Sequence, residues 1–379
     1  MEPHAIRAPR LFTGERFLDD HVVLIGPDGR VEAVGPPGIL PEGRPCRFLP
    51  DGLLAPGFID AQVNGGGGVL FNAVRTPAGV ADIAVAHRRF GSTGLLPTFI
   101  TDRPEARAEA VATARIAVRE APGVLGLHLE GPWLAPARKG AHDPALIVPM
   151  SDADVDGLLG AGLPVLLVTV APEAATPGQI RRLTEGGVIV SLGHSDASLE
   201  VATAAVEAGA RGVTHLFNAM SQLGHRAPGL VGATLDNGGV WAGLIADGHH
   251  VDPAALRVAL RSKRPPGRLF LVSDAMPPAG SPGDTFTLGG RTVTRRDGRL
   301  TLEDGTLAGS DLTMDAALRF AVRHLEVGLG EALRMASLYP AEFLRLDKAR
   351  GRLAPGHHAD LVWLDDALAV RGTWIGGVA

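Results

Sequence analysis

The stretch Val188–Met220, VIVSLGHSDASLEVATAAVEAGARGVTHLFNAM, decides how the chain is read. It holds two apolar runs, VIVSLGHS closing on His194 and GVTHLFNA carrying His215. Between them, Ala197 to Gly209 is alanine-rich, with apolar residues at helical spacing and a glycine at its end. A strand, a helix and a second strand in that order make one βαβ unit of parallel sheet. Two histidines at equivalent ends of neighbouring parallel strands point into one site. Taken singly, each is equally well explained as a buried histidine with a hydrogen-bond partner, so the surrounding chain has to decide.

Outward from this unit the same alternation continues. Eight runs read as strands: Leu54 to Val63, Leu95 to Thr101, Val124 to Glu130, Val165 to Ala171, Val188 to His194, Gly212 to Phe217, Val240 to Ala246 and Leu269 to Ser273. Most are continuously apolar, as strands buried on both faces are. Helical patterns at Ala78 to Phe90, Pro104 to Glu120, Ser151 to Ala161, Pro177 to Glu185, Ala197 to Ala208 and Pro253 to Arg261 fall between them. The expected fold is α/β, a (β/α)8 TIM-like barrel, which typically takes about 250 residues. A doubly wound sheet is the alternative, but no Gly-x-Gly-x-x-Gly follows any strand. The run Gly65–Gly68 lacks that spacing and reads as room for a loop beside a ligand.

Both ends of the chain are strand-like. The expected division is a small β-sandwich domain from residues 1–53 plus 347–379, and a barrel over 54–346. A hairpin insertion near 281–306 turns at Gly289-Gly290 and Asp297-Gly298, and a helix from Asp311 to Glu326 follows it. The 379 residues carry a formal charge of −5, which offers no electrostatic footprint for nucleic acid or an anionic membrane. Cys46 is the only cysteine, so neither an internal disulfide nor a thiolate metal cage can form. The charged N-terminus does not read as a signal peptide, and no apolar run approaches the roughly 18 residues of a membrane span. The expected setting is cytoplasmic.

In such a barrel the active site lies at the C-terminal strand ends. Standing there are Asp60, Gln62 and Asn64, then His128 and Glu130, His194, His215, the run ADGHH, and Asp274. Buried carboxylates cost several kcal/mol unless paired or coordinated. Two imidazoles and one carboxylate are a zinc-type ligand set that leaves a position open for water. A further carboxylate beside that water can take its proton. Asp274 suits this role, a helix or loop cap being its other explanation.

In order along the chain, PGFIDAQVNGGGG, GLHLEGPWL, KGAHDP, VSLGHS, THLFNAM, GHRAPGLVGA, ADGHHVD, LVSDAM and GTLAGSDLTM resemble the N-acetylglucosamine-6-phosphate deacetylases of the amidohydrolase superfamily. The match runs from about Pro56 to the end of the chain. It implies hydrolysis of N-acetyl-D-glucosamine 6-phosphate to D-glucosamine 6-phosphate and acetate, a step of amino-sugar catabolism. By motif match Glu130, His194 and His215 hold the metal, and Asp274 is general base, then acid, for a metal-bound water that attacks the amide. Two-metal superfamily members carry His-x-His where this chain has Gln62-Val63-Asn64. One divalent ion is therefore implied, zinc first and Fe2+, Mn2+, Co2+ or Ni2+ as alternatives, with Gln62 orienting its water or the substrate. The family pattern assigns the phosphate to Arg226, His250 and the Asn218-Ala219 turn, and the sugar to Ala141, His142 and Leu307-Ala308-Gly309. It also implies a homodimer with a shared phosphate site. Two other readings stand: a cyclic-amide hydrolase of the same superfamily, and a sugar-phosphate-binding protein without catalysis. The first normally needs a bridging lysine, and Lys139, Lys263 and Lys348 all lie away from strand ends.

Overall fold

Eight parallel strands hydrogen-bond side by side in sequence order: β1 Phe58–Val63, β2 Ser92–Ile100, β3 Leu127–Glu130, β4 Leu166–Val170, β5 Ile189–Leu192, β6 Gly212–Val213, β7 Trp241–Ile245 and β8 Leu269–Val272. The computed structural model, which describes residues 1–379, closes the ring between β8 and β1. There the Asp274 N–H donates to the Gln62 carbonyl at 3.0 Å, and Val63 bridges Ala275. Every residue of the eight strands is buried, which is why their sequences show no polar alternation.

The intervening helices start where the sequence offers caps. Side chains of Thr76, Ser151, Thr176, Ser198 and Asp252 each accept a first-turn N–H, and Ser151/Asp154 and Thr176/Gln179 form reciprocal capping boxes. One helix, Gly229–Asp236 between β6 and β7, is hidden in the sequence. Its GLVGATLD carries two glycines and has no side-chain cap.

Two strand readings change. The run Leu54 to Val63 is two strands: Leu53–Pro56 pairs with Leu361–Leu364 in a flanking sheet, and β1 begins after Gly57. β6 stops at Val213 because His215 and Phe217 adopt left-handed φ of 34° and 78°, which breaks the ladder.

The flanking sheet has seven strands drawn from both chain ends, His4–Phe12 through Leu53–Pro56 and Leu361–Trp374. Its own apolar cluster includes Ile6, Leu11, Ile25, Leu54, Leu361 and Trp374, so both edges of the sheet cover one core. The insertion is more than a hairpin. Thr285–Leu288, Arg291–Arg296, Arg299–Thr301 and Leu307–Ser310 form an antiparallel four-stranded sheet over the barrel mouth. Its last strand bridges Ala275 through Ser310.

Gly65 and Gly66 of the glycine run make room for the protein itself rather than for a ligand. Gly65 and Gly66 pair with Val69 and Leu70 in a small ribbon. A Cβ on Gly65 would overlap the Val69 carbonyl, and one on Gly66 would stand 2.6 Å from His87 Nε2. The space is taken by the protein's own atoms.

Candidate metal centre

Glu130 ends β3, while His194, His215 and Asp274 each lie two residues beyond β5, β6 and β8. The last three have φ of 48°, 34° and 52°. Left-handed backbone costs a non-glycine residue about 1–2 kcal/mol, and such strain gathers at functional sites. Three strained strand ends at one rim set this end of the barrel apart.

Glu130 Oε1 lies 3.1 Å from His194 Nε2 and 2.9 Å from His215 Nε2, and the two Nε2 atoms are 3.2 Å apart. All three residues are at most 5% exposed. Ligand atoms arranged tetrahedrally at about 2.0–2.1 Å from a zinc-like ion stand about 3.3 Å from one another. The triangle of donors therefore fits such an ion. It is also the single cluster of three or more His, Cys, Asp or Glu groups gathered this closely. His194 Nδ1 lies 2.8 Å from the Arg138 carbonyl, so its N–H donates there and the Nε2 lone pair faces inward. His215 Nδ1 is buried with no protein partner. Burial pushes the Glu130 carboxyl up, but the two histidines beside it outweigh that and hold the group well below the usual carboxylate range.

His128, two residues before Glu130, also points into the barrel but one layer lower. It lies 3.1 Å from Thr98 Oγ1 and 2.7 Å from Thr169 Oγ1, and Thr169, Thr214 and Ser191 continue a chain of hydroxyls at 2.7 and 2.8 Å. Burial pushes its pKa down to about 4, so it is a neutral strut beneath the cluster.

Asp274 faces the cluster from β8. Its Oδ1 accepts from Asn64 Nδ2 at 2.7 Å and Gln62 Nε2 at 3.0 Å, and Gln62 Nε2 also reaches Glu130 Oε2 at 3.2 Å. Burial, then the Glu130 charge, raises Asp274 to about 6. Its carboxylate accepts no backbone N–H, so the capping explanation is not what the structure displays.

These groups open onto a cavity of about 380 Å³. Ala141, His142, Asn218, Ala219, His250, Leu307 and Gly309 line its walls. Gln62 lies below the floor, and Ala308 turns into the insert's apolar cluster. Arg226 is exposed and lines a neighbouring cavity that adjoins this one at Arg138. Asn64, Arg138, Ile245, Met276 and Thr306 also line the site. Of these only Asn64 carries a signal in the sequence, standing two residues after Gln62, just past the end of β1.

The two wall histidines differ. His142 Nδ1 is 2.8 Å from Thr101 Oγ1, and its ring stands edge-on to His194 at 4.4 Å. Burial, then His194, pushes its pKa down to about 3. His250 Nδ1 lies 2.6 Å from Asp247 Oδ2, while Asp247 Oδ1 accepts the N–H of His249 and His250 at 2.8 and 2.9 Å. His249 points outward to Arg299, so of the adjacent pair only His250 meets the cavity.

A family model described as "Amidohydrolase family" matches residues 53–379. The chain is 44% identical over 335 residues to an N-acetylgalactosamine-6-phosphate deacetylase of Shewanella sp. strain ANA-3, covering 88% of this chain and 84% of that one. It is 42% identical over 342 residues to the N-acetylglucosamine-6-phosphate deacetylase of Homo sapiens, covering 86% and 82%. Among solved structures, the N-acetylglucosamine-6-phosphate deacetylase of Pasteurella multocida superposes with a TM-score of 0.94 at 35% identity, covering 99% and 98%. A variant of the Mycobacterium smegmatis enzyme, in complex with N-acetyl-D-glucosamine-6-phosphate, superposes with a TM-score of 0.92 at 34% identity, covering 100% and 99%.

Proposed function

The chain belongs to the amidohydrolase family, and from that premise we propose that it hydrolyses the N-acetyl group of N-acetyl-D-glucosamine 6-phosphate, giving D-glucosamine 6-phosphate and acetate. The observation that carries this reading is the convergence of Glu130, His194 and His215 beside Asp274 on one cavity floor. No lysine lines that cavity, which removes the support a cyclic-amide hydrolase would need.

Glu130, His194 and His215 would hold one divalent ion, zinc by the donor set, and when bound such an ion supplies polarisation of the acetyl carbonyl and a water of lowered pKa. Asp274 moves the protons. With Oδ1 held by Asn64 and Gln62, its Oδ2 takes a proton from the attacking water as the new C–O bond forms. The same oxygen gives that proton to the nitrogen as the C–N bond breaks. A pKa raised to about 6 suits both directions near neutrality. Thr101 Oγ1 donates to the Glu130 carbonyl and so accepts from His142 Nδ1, which leaves His142 Nε2 as an acceptor for a sugar hydroxyl. His250 and the Asn218-Ala219 turn take the phosphate from the opposite wall. Arg226 of a second copy completes that subsite in a homodimer. A single cysteine suits a cytoplasmic enzyme.

A second reading is the same reaction on the C4 epimer, favoured by 44% and 41% identity to two N-acetylgalactosamine-6-phosphate deacetylases. Acetate release from the two phosphorylated epimers and from both free sugars tests these readings together. Turnover of a phosphorylated sugar is expected. Tight binding of that sugar without acetate release would replace the enzyme with a binding protein.

A further inference from the structure

Three groups around the cavity are chemically active without being metal ligands: His142, His250 and Asp274. The four-stranded insert bonds to Asp274 itself and to the residue before each histidine. Arg291 Nη2 donates to the carbonyl of Ala141, the residue before His142. Arg299 Nε donates to His249 Nδ1 at 3.1 Å, the residue before His250. The Ser310 N–H donates to the Asp274 carbonyl at 2.9 Å, and the Met276 N–H returns to the Ser310 carbonyl at 3.0 Å. None of these bonds involves Glu130, His194 or His215.

We infer that the insert assembles the half of the site that does not hold metal, with Arg291 and Arg299 as positioning residues for His142 and His250. This rests on the deacetylase reading, in which both histidines meet the sugar phosphate. His249 and His250 share one bend, with both N–H groups on Asp247 Oδ1, so holding the His249 ring outward at Arg299 fixes the turn from which His250 enters the cavity. Pinning the Ala141 carbonyl likewise fixes the peptide from which His142 springs. The insert is stiff enough to act as a brace, because Leu288, Val293 and Leu300 pack with Ile100 and Met276 in one apolar cluster. On the Arg291 side, a cavity of about 270 Å³ lies between the turn Leu288–Arg291 and Asn72 and Thr101. There the arginine's bond, more than packing, holds the contact.

The test uses the full-length metal-loaded protein and its Arg291→Ala, Arg299→Ala and Arg299→Lys variants, with three measurements on each. Metal affinity should stay within about threefold of the parent. In the alanine variants kcat/KM for the phosphorylated N-acetylhexosamine should fall about tenfold, since an error of about 1 Å in a positioned group can cost 100-fold. Arg299→Lys, which keeps a donor, should recover most of the loss. Backbone hydrogen exchange should quicken over residues 139–143 in the Arg291 variant and 247–251 in the Arg299 variant, with 189–195 unchanged. A kcat/KM within twofold of the parent, or metal loss in step with activity, would overturn the inference. If the parent releases no acetate, the deacetylase reading fails. The brace is then judged by exchange alone, and unchanged protection of the two loops overturns it.

Discussion

The metal half of the site and the half opposite it are built by different means. Glu130, His194 and His215 stand at or just past the ends of fully buried parallel strands, held by the barrel ladder and a floor of side-chain hydroxyls. His142, His250 and much of the cavity wall stand on loops, tied down by arginines and a strand of an inserted sheet. Asp274 belongs to both, since it follows β8 yet shares its backbone bonds with Ser310. The rigid half suits ligands whose geometry tolerates little error. The braced half depends instead on bonds that the insert makes across long stretches of chain.

The largest effect that could break this contrast is at Glu130. Glu130→Gln removes the one anionic group of the proposed ligand set, so metal affinity should fall at least about 100-fold, with acetate release lost alongside it. Competition with a chelator measures the first quantity. Asp274→Asn should separate the halves: metal stays bound while kcat falls about 1000-fold, within the range for removing a proton-transfer group. Loss of metal in this variant would mean that Asp274 is a ligand.

The legibility of the two halves in the sequence differs for the same physical reason. Buried strands appear as unbroken apolar runs, so the polar residues closing them, Glu130, His194, His215 and Asp274, stand out without any knowledge of contacts. His128 stands out equally and is not a ligand, because strand periodicity cannot tell two layers of one barrel interior apart. The insert's grip on Ala141 and His249 spans 150 and 50 residues, and nothing local in those arginines announces it. The brevity of β6 was hidden because a strained φ at His215 leaves no trace in an apolar run. Split strands such as Leu53–Pro56 and β1 are hidden too, since both sheets want the same residue types.

Smaller effects sharpen the picture. Arg226→Ala should raise KM for the phosphorylated sugar about tenfold and leave the free sugar unchanged, if a second copy brings this arginine to the phosphate. An equal effect on both sugars would remove it from that role. The acid response of the rigid half is read in stability and not in turnover. The unfolded chain protonates His128 near its ordinary pKa of 6.5, whereas the folded residue resists protonation until about pH 4. Stability therefore falls as pH drops through that window, by about 2 kcal/mol between pH 7 and 5. Urea unfolding of metal-free protein should show a visibly smaller drop for His128→Gln, and an identical drop would remove His128 from the account.

The central claim is a single-metal deacetylase, and stoichiometric titration tests it most directly. Metal-free protein is titrated with Zn2+ while acetate release from N-acetyl-D-glucosamine 6-phosphate is followed. The account predicts no release without metal and a rate that saturates at one equivalent per chain. Full activity in the metal-free protein, or a rate that keeps climbing to two equivalents, would contradict it.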